Sequence, residues 1–278
     1  MRRGNIRLKK ILIGIVLTFA LIFFLFPMVW MFLTSFKTQA QVFASPPVFI
    51  PPSEQWNFNN YTAALMDSGA LNGIRDSMIV SLSTAVVSVS VGALAAYSLA
   101  RYRLGGEHFS FWILSTRMFP PVASAIPLFL IFRELNLQDT YWVLIVANAI
   151  FNLPFAIWLL KGFIEDLPVE LEESAFIDGS SVFGAFWRIT LPLISPGLVT
   201  AFLFTFVFTW NEFLFALLLT RRTVRPVTVI VQSLAGGHEI LWAQIAATGV
   251  LAIIPGTFLV LFLQRYIVRG LTMGALKS

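Results

Sequence analysis

Residues 172–192 read EESAFIDGSSVFGAFWRITLP, a polar, acid-rich passage inside a chain that is otherwise strongly apolar. Its reading decides whether the chain is a closed membrane bundle or a membrane subunit built to meet something outside the bilayer. Of the 278 residues, 58% are hydrophobic and only 12% charged. Soluble domains carry about 25% charged residues, so the composition already indicates a polytopic membrane protein. Cysteine is absent, which excludes disulfides, thiolate nucleophiles and Cys-ligated metals. The two histidines, His108 and His238, are too few for an imidazole cluster. The 19 basic residues are scattered beside apolar runs, a pattern that suits membrane orientation and not nucleic acid.

A spanning helix needs about 20 apolar residues to cross a hydrocarbon core of about 30 Å. Six segments qualify: 11–36, 77–100, 110–132, 140–160, 197–220 and 243–264. The first follows MRRGNIRLKK, which resembles the basic start of a signal peptide. Its apolar run is too long for that and no small-residue cleavage site follows, so it reads as a retained helix. With the N-terminus inside, the cytoplasmic pieces hold twelve basic residues and the exterior pieces six, which places both termini in the cytoplasm. Arg221, Arg222 and Arg225 run against that bias. The expected division is 1–74 (first helix and extracytoplasmic segment), 75–266 (five helices with a loop at 161–196) and 267–278 (a cytoplasmic tail).

Within the spans, Pro120-Pro121 predicts a kink in the third helix, beside a cavity or serving packing alone. Thr84, Ser88, Gly92 and Ala96 form a small-residue stripe on the second, which suits internal packing better than a dimer seam. Paired prolines in SPPVFIPPS predict an extended exterior passage, and Asn60-Tyr61-Thr62 is a glycosylation triplet of the kind that arises by chance.

In the opening passage, Asp166-Leu167-Pro168 reads as a helix start. Gly179 reads as the glycine that ends that helix, and Ser180 or Ser181 as the cap of a second one closed by Pro192. The second helix offers Phe183, Phe186, Trp187 and Ile189 as a bulky apolar face. An interfacial helix lying on lipid is the competing reading, but such helices are rich in Lys and Arg. The 161–196 loop has two basic residues against six acidic ones, which favours a basic protein partner.

The passage resembles the cytoplasmic signature of binding-protein-dependent ABC importer permeases: E-A-A, three residues, G, nine residues, I-x-L-P. Here it reads Glu173-Ser174-Ala175, then Gly179, then Ile189-Thr190-Leu191-Pro192, with Ser174 the single departure. The segment leading into Asn59-Asn60-Tyr61, the Thr209–Phe213 stretch and the ending from Arg269 through Lys277 are similar to carbohydrate-importer permeases, most of all the maltose-type smaller permease. The resemblance implies an all-α membrane protein, with six transmembrane helices of the type I ABC importer permease fold and a cytoplasmic coupling helix. It implies a transport subunit of the plasma (bacterial inner) membrane, not an enzyme, forming half of a pathway for a sugar or polyol. Implied partners are a second permease subunit, a dimer of ATPase subunits and an extracytoplasmic solute-binding protein. ATP and Mg would be bound by the ATPase, since no G-x4-G-K-[ST] loop occurs in this chain. The coupling residues would be Glu172, Glu173, Ser174, Ala175, Asp178, Gly179, Ile189, Leu191 and Pro192, with Glu173 facing a basic residue of the ATPase.

Arg117 and Glu212 are the ionisable residues inside predicted spans, where a functional role is the default expectation. Arg117 can also snorkel toward the surface, and Glu212 can serve a helix–helix hydrogen bond or salt bridge. With Trp210 and Asn211, Glu212 suggests a polar-aromatic cluster for a hydroxyl-rich ligand. Asn148 and Asn152 suit packing hydrogen bonds. The alternative function is an ion-coupled secondary transporter or channel acting without an ATPase, which leaves the signature unexplained.

Overall fold

The computed structural model describes residues 2–236 and 240–275, so His238 and the last three residues of the expected tail lie outside the description. The described residues form helices joined by turns and contain no strand. This is the solution lipid demands, because each helix satisfies its own backbone hydrogen bonds. The chain divides into two compact units: Met1–Leu71 with Ile230–Ile253, and Asn72–Val229 with Ile254–Ser278.

In the first unit, α1 (Arg2–Thr34) turns a nearly continuous apolar surface outward, as a lipid-facing helix does. It ends in an aromatic knot where Phe36 stacks on Trp56 at 4.6 Å and meets Phe58 and Tyr61 edge-on or tilted. Asn60 lies buried beneath the knot, and its amide donates to the carbonyls of Ser35 and Lys37 at 2.8 and 2.9 Å. A side chain so used is unavailable as a glycan acceptor.

The second unit holds most of the spanning helices. In chain order the helices after α1 used below are α2 (Ala70–Tyr102), α3 (Gly106–Thr116), α4 (Pro121–Glu134), α5 (Tyr141–Glu165), α6 (Glu170–Ile177), α7 (Val182–Leu193), α8 (Ser195–Trp210), α9 (Leu214–Leu219), α10 (Val227–Ala235) and α11 (Trp242–Ala275). Helix α2 begins, and α10 and α11 run, across the division between the units. Among the described residues four helices are long and apolar enough to span a bilayer alone, and the number reaches six if each of two bent pairs, α3 with α4 and α7 with α8, is one span. The third span breaks at the diproline as expected, with α3 and α4 meeting at 78°. The fifth does not run from 197 to 220 as the unbroken helix that its apolar sequence predicts. Instead α8 stops at Trp210, the chain turns through Asn211–Phe213, and α9 begins at Leu214. Helix α11 continues through Ala275, so 267–275 prolong a helix.

The small-residue stripe on α2 faces inward, with Thr84, Ser88, Gly92 and Ala96 all buried. A Cβ at Gly92 would stand 3.1 Å from that of Ala156 on α5, so glycine is what lets these helices touch. At one end of this unit, Asp139 accepts the backbone N–H groups of Arg221, Arg222, Thr223 and Val224 at 2.9 to 3.3 Å. Burial acts to raise its pKa, but these four donors outweigh burial and hold the carboxyl well below the usual range.

Two outcomes are expected. Gly92→Val should destabilise by about 1–3 kcal/mol through overpacking. Leu94→Val, on the exposed side of the same helix, should stay within about 0.5 kcal/mol in the same thermal melts. Asp139→Asn keeps the shape and tolerates the left-handed backbone at this position (φ 59°), so it isolates the charge. Because the folded pKa is depressed, the ionised group's contribution is fully present above about pH 4, the unfolded value, and drains away as pH falls below it. The variant's thermal midpoint should lack that acid-side slope.

Candidate functional site

The passage at 166–194 folds as a helical hairpin, and local chemistry explains each part. Asp166 does not start a helix; it closes α5 as its C-terminal cap, and the next helix starts at Glu170. Glu170, Glu172 and Glu173 fill the first turn of α6, where the helix dipole favours acids. Gly179 takes φ +84°, and the chain closes with Ser180 N–H on Ala175 O and Gly179 N–H on Phe176 O. These two bonds are the Schellman pattern for ending a helix on a left-handed residue. Ser181 then caps α7 by accepting the Gly184 N–H at 3.1 Å. Pro192 does not end α7, which runs to Leu193. A wide turn over Phe186–Thr190 precedes the proline and accommodates its missing N–H.

The hairpin has an inner and an outer side. Glu172 is 3% exposed, and its carboxylate takes three side-chain donors. Arg101 Nε donates at 2.9 Å, Tyr97 Oη at 2.9 Å and Thr190 Oγ1 at 2.7 Å. Arg101 also donates to the Leu167 carbonyl at 3.3 Å. Tyr97 packs on Phe186 with ring centroids 5.1 Å apart, inside a core shared with Val89, Leu160, Ile164 and Ile194. Glu172 is therefore turned into its own chain, with its carboxylate bonded there. Phe186 is likewise buried, and Ala175, Ile189 and Leu191 are wholly or partly covered.

The outer side carries what remains. Glu173, Ser174, Asp178, Gly179 and Pro192 are exposed, as are Phe183 and Trp187, which meet edge to face at 5.9 Å. Ile177 is 88% exposed, an unusual place for so apolar a residue outside a lipid-facing stretch. The face thus joins carboxylates to uncovered aromatic and aliphatic groups.

The candidate pathway residues do not gather into one site. Arg117, at the break between α3 and α4, turns inward with its guanidinium carbon 4.7 Å from the Phe155 ring centroid and 4.3 Å from that of Phe208. Trp210 is buried and stacks on Phe206 at 5.5 Å. Asn211 is exposed and folds back onto the Val207 carbonyl at 2.8 Å. Glu212 caps α9, accepting the N–H groups of Phe215 and Ala216 at 2.7 and 3.2 Å. Its carboxylate thus serves the backbone of its own chain where the fifth span breaks. Its neighbours Ser77, Ser81, Asn148 and Thr209 line a cavity of about 10 Å³ with it, room for roughly one water. Asn152 donates to Thr209 Oγ1 at 3.2 Å and to Asn148 O at 3.0 Å, the packing role expected of it. Among the described residues no cluster of His, Cys, Asp or Glu could hold a metal.

Sequence reasoning did not find Tyr97, Arg101 or Thr190. One signal was available: Tyr97 and Arg101 lie one helical turn apart at the end of the second span, on the side where the acid-rich loop emerges.

The fold defines a membrane-embedded helical protein whose hairpin leaves carboxylates and apolar groups uncovered on one side. Residues 88–273 match the family model described as "Binding-protein-dependent transport system inner membrane component", and the chain belongs to that family of ABC transporter permeases. It is 34% identical over 276 residues to the trehalose/maltose transport system permease protein MalG of Thermococcus litoralis, covering 98% of each chain. It is 35% identical over 258 residues to the trehalose transport system permease protein SugB of Mycobacterium tuberculosis, covering 91% of this chain and 93% of that one. Among solved structures, a chain of a bacterial ABC transporter involved in import of the acidic polysaccharide alginate superposes with a TM-score of 0.76 at 25% identity, covering 94% of this chain and 96% of that one. The protein is thus a transport subunit of an importer with the type I permease fold, and it is not itself an enzyme.

Gly179→Ala should lower stability by about 1–2 kcal/mol, because a Cβ there meets nothing within 4 Å and the loss is backbone strain alone. Asn, which enters the left-handed region more easily, should lose less. An alanine variant melting with the wild type would dismiss the turn as a requirement.

Proposed function

We propose that the chain forms half of the translocation pathway of an ATP-driven importer for a sugar or polyol. The outer face of the 166–194 hairpin would lie in a cleft of a separate ATPase subunit. The observation that carries this reading is the uncovered combination of Glu173, Asp178, Ile177, Phe183 and Trp187 on a hairpin otherwise bonded firmly to its own chain. Glu173 meets a basic residue of the ATPase and sets register, while the apolar groups supply burial. Ser174, Ala175, Gly179, Ile189, Leu191 and Pro192 shape the element. The complete assembly contains a second permease subunit, two ATPase subunits that bind ATP and Mg, and an extracytoplasmic solute-binding protein. Both termini and the hairpin lie in the cytoplasm. Residues 1–74 form the N-terminal helix and extracytoplasmic segment and 75–266 the five-helix transmembrane domain with its coupling loop at 161–196, with 267–278 as the tail. The named sugars of the relatives support the substrate class. Arg117, Trp210, Asn211 and Glu212 stay the candidate pathway residues, Arg117 through its inward-facing guanidinium.

Glu173→Arg tests the reading. Reversing the charge should cut the ATPase retained on affinity purification by about tenfold or more. Wild-type retention together with wild-type ATP-driven uptake would sink it.

A further inference from the structure

Glu172 and Glu173 are adjacent in sequence and opposite in circumstance: one is buried among three donors, the other is exposed. The donors come from two directions. Tyr97 and Arg101 belong to the last turns of α2, and Thr190 belongs to α7, so one carboxylate on α6 clamps three helices. Desolvating both charges makes such a pair a poor stabiliser compared with an apolar contact of equal volume, whereas its directional bonds fix orientation closely.

The far end of α2 carries a second set of anchors. Asp76 accepts the Arg225 N–H at 2.9 Å and the Tyr141 hydroxyl at 2.8 Å, and Ser77 accepts the Val227 N–H at 2.9 Å. Asp76 and Arg101 stand about 37 Å apart along the helix at 1.5 Å per residue. The same segment, 221–224, is gripped by Asp139. Helix α2 is therefore tied to the docking hairpin at one end and to the 221–227 loop at the other.

We propose that Glu172 is a positioning residue. It locks the hairpin to α2 so that displacement of the hairpin is delivered along α2 as rigid-body motion to the 221–227 loop. This rests on the reading that an ATPase docks on the hairpin's outer face. Within that reading it divides the acidic pair: Glu173 belongs to the partner, and Glu172 transmits. An exposed contact can be lost without loosening the hairpin, whereas losing Glu172 leaves the contact and frees the hairpin from its helix.

The chain has no cysteine, so Ser98→Cys on α2 and Ser180→Cys on the hairpin are its only labelling sites, and it is spin-labelled before assembly with its partners. The test is run on the full complex with its ATPase in lipid nanodiscs, with and without ATP–Mg and vanadate. In the otherwise native chain the 98–180 distance should be narrow and unchanged by nucleotide. Glu172→Gln should retain the ATPase, yet ATP–Mg with vanadate should shift or broaden that distance, as the hairpin moves and α2 lags. Joint reversal, Arg101→Glu with Glu172→Arg, should restore the narrow distribution. If Glu172→Gln does not fold into the membrane, Tyr97→Phe and Thr190→Val each remove one bond to the carboxylate at near-constant volume. Each should then give a partial shift.

A Glu172→Gln complex with the native, nucleotide-independent distance overturns the proposal. So does loss of bound ATPase at an unchanged distance, which would return Glu172 to the docking face. A nucleotide-dependent distance in the native complex overturns the rigid connection. Failure of the native complex to hold an ATPase would instead defeat the docking reading.

Discussion

Backbone hydrogen bonding in a medium without water is the constraint that the rest of this structure answers to. A helix meets it alone, but this chain leaves helical conformation at several points near or within its spans. At the following ones a polar side chain serves the freed backbone groups. Asn60 takes two carbonyls at the end of α1, Asp139 takes four consecutive N–H groups between α9 and α10, and Asp76 with Ser77 takes the next two available. Glu212 takes the first N–H groups of α9 where the fifth span breaks. Several of the charges that composition makes conspicuous are thus caps. Their positions mark where the helices are interrupted.

The hairpin obeys the same rule and adds a division of labour. Its inner side is satisfied by bonds to α2 and by the core around Phe186. Its outer side is left with apolar groups that are exposed among the described residues and with carboxylates facing out. An element so firmly held from within, and so incomplete without, fits a subunit whose energy comes from elsewhere.

How legible this was in the sequence varied with the range of the forces involved. The diproline break was readable because proline removes a donor locally. The Gly179 turn was readable because φ +84° favours glycine. The break after Trp210 was not, since no proline or glycine interrupts 198–220 and each residue there is compatible with helix. That interruption depends on distant partners, among them Thr228 Oγ1 on the Glu212 carbonyl at 3.0 Å. The scattering of Trp210, Asn211 and Glu212 follows from it, because a turn sends successive side chains in different directions.

The amino-acid sequence by itself determined that the chain spans a membrane, where most of its spans lie and which loop stands out as polar and acid-rich. Those are properties of hydropathy, of helix-terminating residues and of spacing along the chain, and all act within a few turns. Only the tertiary structure decided which of two adjacent glutamates faces outward. Both suit the first turn of α6 equally, and the choice rests on Tyr97, Arg101 and Thr190 arriving from elsewhere in the chain to desolvate one carboxylate and satisfy it.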